Sequence, residues 1–193
     1  MQRLLIVGAG GHGRSVAEAV LAAGSFQLVG FADDAAPGLK RVAGLPVLGT
    51  TAGLARYRQH ADASIVAVGN NRPREALYRQ AEIAGFDMIT VVHPASVVSP
   101  QAIIGAGSAL MAGCIIGTGA VLGVGAIVNC GAVIDHDCQV EDFGHLAVRT
   151  AMAGGAVLGR AAWLQPGAIL GYGARVEAGV VAAAAVVNAV ATG

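Results

Sequence analysis

A period of six residues, held from Val98 to Val176, constrains this chain more than any other feature. Every sixth position is aliphatic or Met: Val98, Ile104, Leu110, Ile116, Leu122, Val128, Ile134, Val140, Leu146, Met152, Leu158, Leu164, Leu170 and Val176. Two residues before each, from Ala102 to Ala174, stands a small residue, Cys114, Cys138, Gly144 and Thr150 among them. This period matches neither the 3.6-residue helix repeat nor simple strand alternation. It is the hexapeptide pattern of a parallel β-helix, in which three hexapeptides close one triangular coil. Alternate residues of a strand face opposite sides, so the aliphatic residue and the small one two before it both point inward. A narrow prism has room for one bulky group per face. Glycine recurs three residues after many of the aliphatic positions (Gly107, Gly113, Gly119, Gly125, Gly131, Gly155, Gly167, Gly173, Gly179), where a sharp corner favours its freedom to take positive φ.

The composition agrees with such a solenoid. Apolar residues make up 55% of the 193, charged residues 12%, and 29 are glycine. So apolar a surface fits a column whose flat outer faces meet other subunits. The zero net charge gives no footprint for nucleic acid, and no apolar run is long enough to span a membrane. Cys114 and Cys138 occupy inward positions, Cys130 a corner, and no Cys/His spacing suits a metal. The reading is a reduced, cytoplasmic protein without a metal.

About 93 residues precede the repeats, and we place the boundary there: residues 1–93 as a nucleotide-binding domain, 94–193 as the β-helix. Arg3 to Val7 reads as a strand, followed by Gly8-Ala9-Gly10-Gly11-His12-Gly13 and a helical pattern from Arg14 to Ala23. A strand, glycines and a helix N-terminus form a cradle for phosphate; the plainer reading is a tight βα connection. Gln27 to Ala32 reads as a second strand ending in Asp33-Asp34, where a ribose hydroxyl is often held. Pro46 to Gly49 reads as an edge strand, Thr51 to His60 as a helix with Thr51 near its N-cap, and Ser64 to Val68 as a buried strand. Gly69-Asn70-Asn71-Arg72 then leaves the same sheet edge as the glycine turn. Asn70 can meet a base or sugar, and Arg72 or Arg74 either meets phosphate or starts a solvated helix. Pro73 to Gly85 reads as that helix and Met88 to Val92 as a last strand. A complete NAD fold needs two such halves, so the expected ligand is a mononucleotide diphosphate.

Polar residues interrupt the repeats in one place: Asn129, Asp135-His136-Asp137, Glu141-Asp142 and His145. Asp137, Phe143 and Arg149 stand where corner glycines are expected, and broken local rules mark functional sites. His136 falls at a corner and cannot point into the core. His145 falls mid-strand facing outward, stacked in register with Ile127 and Trp163, each 18 residues away. Three readings of His136 compete: a surface residue without a role, a metal ligand lacking a third partner, and a general base. An imidazole titrates near neutrality, and a carboxylate on its other nitrogen sets the tautomer and raises basicity. Asp135 and Asp137 both qualify, and Asp137 is preferred.

Taken together, Gly8-Ala9-Gly10-Gly11-His12-Gly13, Phe31-Ala32-Asp33-Asp34, Val66-Ala67-Val68-Gly69-Asn70-Asn71, His93-Pro94-Ala95 and Ile134-Asp135-His136-Asp137-Cys138 resemble the bacterial sugar acetyltransferases. In that family a half-Rossmann nucleotide-sugar domain precedes a left-handed β-helix. It includes UDP-4-amino-sugar N-acetyltransferases and sialic acid O-acetyltransferases. The resemblance covers almost the whole chain, and the handedness of the helix comes from it alone. It implies His136 as catalytic base, Asp137 as the acid that raises its basicity, and Asn129 as a polar neighbour. It implies nucleotide-sugar contacts at Gly10, Gly11, His12, Asp33 and Asp34, to which the reading of the sheet edge adds Gly69 and Asn70. For the acetyl-CoA groove it implies His145, Gly154 and Pro166, with Ala184 in the terminal coils. A homotrimer with sites between adjacent columns is implied too. The last coils depart from the family pattern, since Ala182 to Ala185 replace glycines and the chain ends at Gly193; the resemblance is weakest for the terminal part of the coenzyme groove, and a truncated chain is one reading. The expected activity is acetyl transfer from acetyl-CoA to the amine of a nucleotide-linked 4-amino sugar. The alternatives are O-acetylation of a sialic acid or related hydroxyl, and a non-catalytic scaffold that binds a nucleotide sugar.

Overall fold

The computed structural model describes residues 1–183 and the strand Val186–Val187, and divides into two compact units, Met1–Pro94 and Ala95–Gly193. In the first unit, β1 (Gln2–Val7) is central because Leu4, Leu5, Ile6 and Val7 are fully buried. Helix α1 (Gly11–Ala23) starts three residues earlier than its apolar pattern suggests, with Gly10 extended at the N-cap and no side-chain cap. It ends at Gly24 in the left-handed region, whose N–H returns to the Val20 carbonyl. Next come β2 (Phe26–Ala32), a hairpin of β3 (Arg41–Val42) and β4 (Leu45–Gly49), the short α2 (Leu54–Tyr57), β5 (Ala63–Val66), α3 (Asn71–Ile83) and β6 (Asp87–Met88).

The sheet runs β3-β4-β2-β1-β5-β6 and is parallel except for β3 on β4. The expected edge strand is therefore covered by an antiparallel partner, through a turn at Ala43-Gly44 in which both residues have positive φ. The helix expected over 51–60 shrinks to a 3₁₀ turn and α2. Thr51 stands next to the N-cap, Thr50, as expected, and its N–H and hydroxyl both donate to Asp34 Oδ1. The expected strand 88–92 breaks into β6 and a separate strand, Val91–Val92. Strand order reverses beside β1, so the carboxyl ends of β1, β2 and β5 meet at the crevice where open α/β sheets hold ligands.

The second unit is a left-handed parallel β-helix. Two-residue strands recur every six residues and pair in parallel with strands 18 residues away, giving three sheets. The first stacks Ala109, Ile127, His145 and Trp163, the second Val97, Ile115, Val133, Ala151 and Ile169, the third Ile103, Val121, Gln139, Val157 and Arg175. The six-residue aliphatic series and its small partners form one buried core that includes Cys114 and Cys138, whereas Cys130 is exposed at a corner. Corner glycines hold positive φ, and so do Asp137, Phe143, Arg149 and Ala161 in the same positions. For a residue with a Cβ this conformation costs about 1–2 kcal/mol, a strain the cross-linked rungs hold in place.

Candidate active site

The edge between the second and third sheets carries His136 and its two flanking carboxylates. His136 follows the strand Val133–Ile134, and its backbone joins a ladder with the rungs on either side. Asp137 N–H donates to Thr118 O, Gly155 N–H to His136 O, and Gly173 N–H to Gly154 O. These bonds hold His136, Gly154 and Tyr172, spaced by 18, in one column. Asp137 Oδ2 accepts from His136 Nδ1 at 2.9 Å, and Asp135 Oδ1 accepts the His136 N–H at 2.8 Å. Asp135 Oδ2 stands 4.0 Å from Nε2. The imidazole is 46% exposed and its carboxylate partner 73%, so the pair adds little stability; what it provides is orientation. The hydrogen bond to Asp137 raises the His136 pKa above its ordinary 6.5, and the charge of Asp135 adds to the rise. With Nδ1 engaged by Asp137, Nε2 is the nitrogen left to accept a proton.

The space around the ring is made by glycine. A Cβ on Gly154 would lie 2.5 Å from His136 Nε2 and 2.9 Å from the Tyr172 ring. One on Gly119, the rung below Asp137, would lie 2.6 Å from Asp137 Oδ1. Tyr172, 70% exposed, meets the imidazole edge-on with ring centroids 6.1 Å apart. Sequence reasoning passed over Tyr172 and read Gly119 only as a corner glycine; counting in steps of 18 from His136 and Asp137 would have tied both to the site.

The other expected residues of this unit lie elsewhere on the prism. Asn129, at the edge between the first and second sheets, spends its Oδ1 on the Cys130 N–H. Pro166 lies two rungs on, at the same edge, and is exposed. His145 lies in the first sheet, facing outward in register with Ile127 and Trp163 as expected, and its ring stacks flat on Trp163 at 4.7 Å, which leaves it 5% exposed. Glu141 holds Arg160 N–H and the Arg175 guanidinium, and Asp142 accepts from Val124 N–H, so both brace the next corner. Ala184 lies outside the described residues.

In the first unit the four glycines of the turn do two jobs. A Cβ on Gly8, at φ +105°, would meet the Ala67 carbonyl at 2.9 Å, and one on Gly13 would meet the Gly8 carbonyl at 2.0 Å; both residues pack backbone on backbone. Gly10 and Gly11 face open space, leaving the uncapped α1 N-terminus accessible to an anion. Asp33 ties the turn together, its two oxygens accepting from Ala9 and Ala35 N–H. Asp33, Asp34, Gly8, Thr51, Val68 and Leu77 line a cavity of about 190 Å³. Asn70 caps α3 by accepting from Arg72 N–H, and the Gly69 carbonyl accepts from Arg74.

The alternatives left open for Arg74, phosphate contact or solvated helix start, are both overturned. It is 1% exposed, and its guanidinium donates to the carbonyls of Val68 and Gly69 and to Asn71 Oδ1. Burial lowers its pKa to about 9, which keeps it charged at neutral pH. The half-buried His12, whose Nε2 is buried without a hydrogen-bond partner, is pushed down to about 4 by desolvation and then by Arg74. It is neutral at pH 7. Among the described residues no group of His, Cys, Asp or Glu is placed to hold a metal ion, and no helix is long and apolar enough to cross a membrane.

A phosphate-cradle sheet followed by a left-handed β-helix with a His–Asp pair on its edge defines the hexapeptide class of acyltransferases. Residues 3–81 match the PglD N-terminal domain family. The acetyltransferase domain of PglB from Neisseria gonorrhoeae FA1090 is 35% identical over 98% of this chain and 97% of its own, with a TM-score of 0.79. The same domain in complex with acetyl coenzyme A gives 36% identity, 97% and 96% coverage and a TM-score of 0.78. A mutant perosamine N-acetyltransferase from Caulobacter crescentus, in complex with CoA and GDP-perosamine, gives 34%, 96% and 91%, and 0.80. No curated protein sequence matches the chain. The chain belongs to the bacterial sugar acetyltransferase family.

Proposed function

We propose that the chain transfers the acetyl group of acetyl-CoA to the amine of a nucleotide-linked 4-amino sugar, with His136 as general base. The observation that carries this reading is the exposed imidazole whose Nδ1 is held by Asp137, leaving Nε2 to receive a proton. The amine lone pair attacks the thioester carbonyl carbon, the N–C bond forms, and the amine proton passes to Nε2. Collapse of the tetrahedral intermediate breaks the C–S bond and releases CoA, whose sulfur takes up the proton. Direct transfer is favoured because Cys114 and Cys138 are buried, the exposed Cys130 stands on a different edge of the prism from His136, and among the described residues no Ser is paired with His136. The C. crescentus neighbour, whose complex holds CoA and GDP-perosamine, supports both substrates.

The open Gly10-Gly11 turn, His12 and the Asp33-Asp34 cavity are the proposed nucleotide-sugar site, with Gly69 and Asn70 shaping its edge. Gly154 and Pro166 are the proposed coenzyme contacts. Asn129 and His136 stand on different edges of one prism, so a site using both draws on two copies. The second sheet lies between those edges, and its outer face is aliphatic throughout (Val97, Ile115, Val133, Ala151, Ile169), with Val97 62% exposed. Such a face supports a homotrimer with sites between columns.

Thiol release from acetyl-CoA, measured with GDP-, UDP- and dTDP-linked 4-amino sugars, tests the reading. At least one is expected to be a substrate, and His136→Ala is expected to lose about 10²- to 10⁴-fold in rate while staying folded. Thiol release with none of them, or a wild-type rate from His136→Ala, refutes it.

A further inference from the structure

Asp135 is the feature of this edge that the proposed reaction leaves unused. One of its oxygens is pinned by the His136 N–H, which fixes the carboxylate, while Oδ2 stands 4.0 Å from His136 Nε2. Two acceptors at that separation can each lie about 2.9 Å from one shared donor atom, subtending an angle of about 90° at it. We propose that Asp135 is a specificity residue that selects an amine over a hydroxyl acceptor by taking the second N–H of the attacking nitrogen. This rests on the N-acetyltransferase reading above and names a further contact in the same site.

The geometry suits an amine and penalises an alcohol. A primary amine carries its carbon, two hydrogens and a lone pair at tetrahedral angles. With one N–H on Nε2 and the other on Asp135 Oδ2, the lone pair is turned away from both acceptors, free to face the thioester. A hydroxyl has a single hydrogen. If that hydrogen goes to Nε2, an oxygen lone pair faces the carboxylate at hydrogen-bond distance, which is repulsive and leaves the charged group unsatisfied. During transfer the proton on Nε2 is the one lost by the amine. The N–H on Asp135 stays in place and becomes the amide N–H of the product, so no additional proton is needed.

Asp135→Asn tests this, because the amide has only one oxygen. That oxygen is needed by the His136 N–H, so the NH₂ group turns toward the substrate nitrogen and sets donor against donor. The probe is whichever GDP-, UDP- or dTDP-linked 4-amino sugar the wild type acetylates, paired with the same nucleotide sugar carrying a hydroxyl at that carbon. Binding of each is measured by calorimetry in the presence of CoA, with kcat/KM for the amine alongside. Loss of a charged hydrogen bond predicts that the variant binds the amine and turns it over about 10- to 100-fold less well. Binding of the hydroxyl sugar is expected to hold or improve, and the acetyl-CoA KM to stay unchanged. Equal losses for both sugars, or no loss for the amine, overturn the assignment of Asp135 and leave the base intact. A wild type that acetylates none of the amines overturns the underlying reading instead.

Discussion

Gly154→Ala isolates the positioning of the base from the integrity of the fold. The backbone at 154 does not hold positive φ, so alanine can take up that conformation. Its Cβ would lie 2.5 Å from His136 Nε2 and 2.6 Å from Cε1. Ordinary contact needs about 3.5 Å, so the imidazole must retreat by about 1 Å. The Nδ1–Asp137 bond, 2.9 Å long, then stretches beyond the range of a hydrogen bond, and the ring loses its anchor. Misplacement of about 1 Å costs about 10²-fold in rate, which is the fall in kcat expected in the thiol-release assay. The clashing atoms belong to exposed side chains that can swing into solvent, with His136 46% and Tyr172 70% exposed. The destabilisation should therefore stay within about 1 kcal/mol, or about 2–4 °C in Tm. A folded Gly154→Ala protein with wild-type kcat would refute the argument that the glycine makes room for a fixed imidazole. Loss of the fold would refute the claim that this contact is confined to the surface.

The base must be neutral to act, so a pKa raised by Asp137 places the acid limb of kcat/KM above pH 6.5. Asp137→Asn should move that limb down toward 6.5 and lower the plateau; a pH–rate profile that keeps its limb would remove Asp137 from this role. His12 has a folded pKa of about 4 against 6.5 unfolded, so the unfolded chain binds more protons between those values and stability falls as pH drops from 6.5 to 4. The loss amounts to about 3 kcal/mol, and denaturant unfolding of His12→Gln should show a flatter dependence across that window; an unchanged slope would mean the wild-type ring is already charged.

The β-helix, apart from its handedness, was legible in the sequence because its period is a direct consequence of geometry. Each six-residue step turns one corner, and a prism this narrow forces a large and a small residue inward every time. Those constraints are local, so Cys114, Cys138 and the stack Ile127–His145–Trp163 could be placed without coordinates. His136 was legible for the same reason, since a polar residue two past an inward aliphatic one has nowhere to go but out. The glycine turn was legible as strand, turn and helix.

What the tertiary structure decided were contacts between residues far apart in sequence, where no period applies. Arg74 reads from the chain as a surface cation, yet three acceptors converge on it in a buried pocket. Asp33 and Asp34 read as ligand contacts, and packing shows them also tying the Gly8 turn and Thr51 to the sheet edge. The sequence offers two carboxylates beside His136 and favours Asp137 without saying what Asp135 does. Only the folded corner, with Asp137 held at positive φ, turns one toward Nδ1 and leaves the other beside Nε2. Side-chain direction at a strained turn depends on the rungs above and below it, and those rungs are 18 residues away.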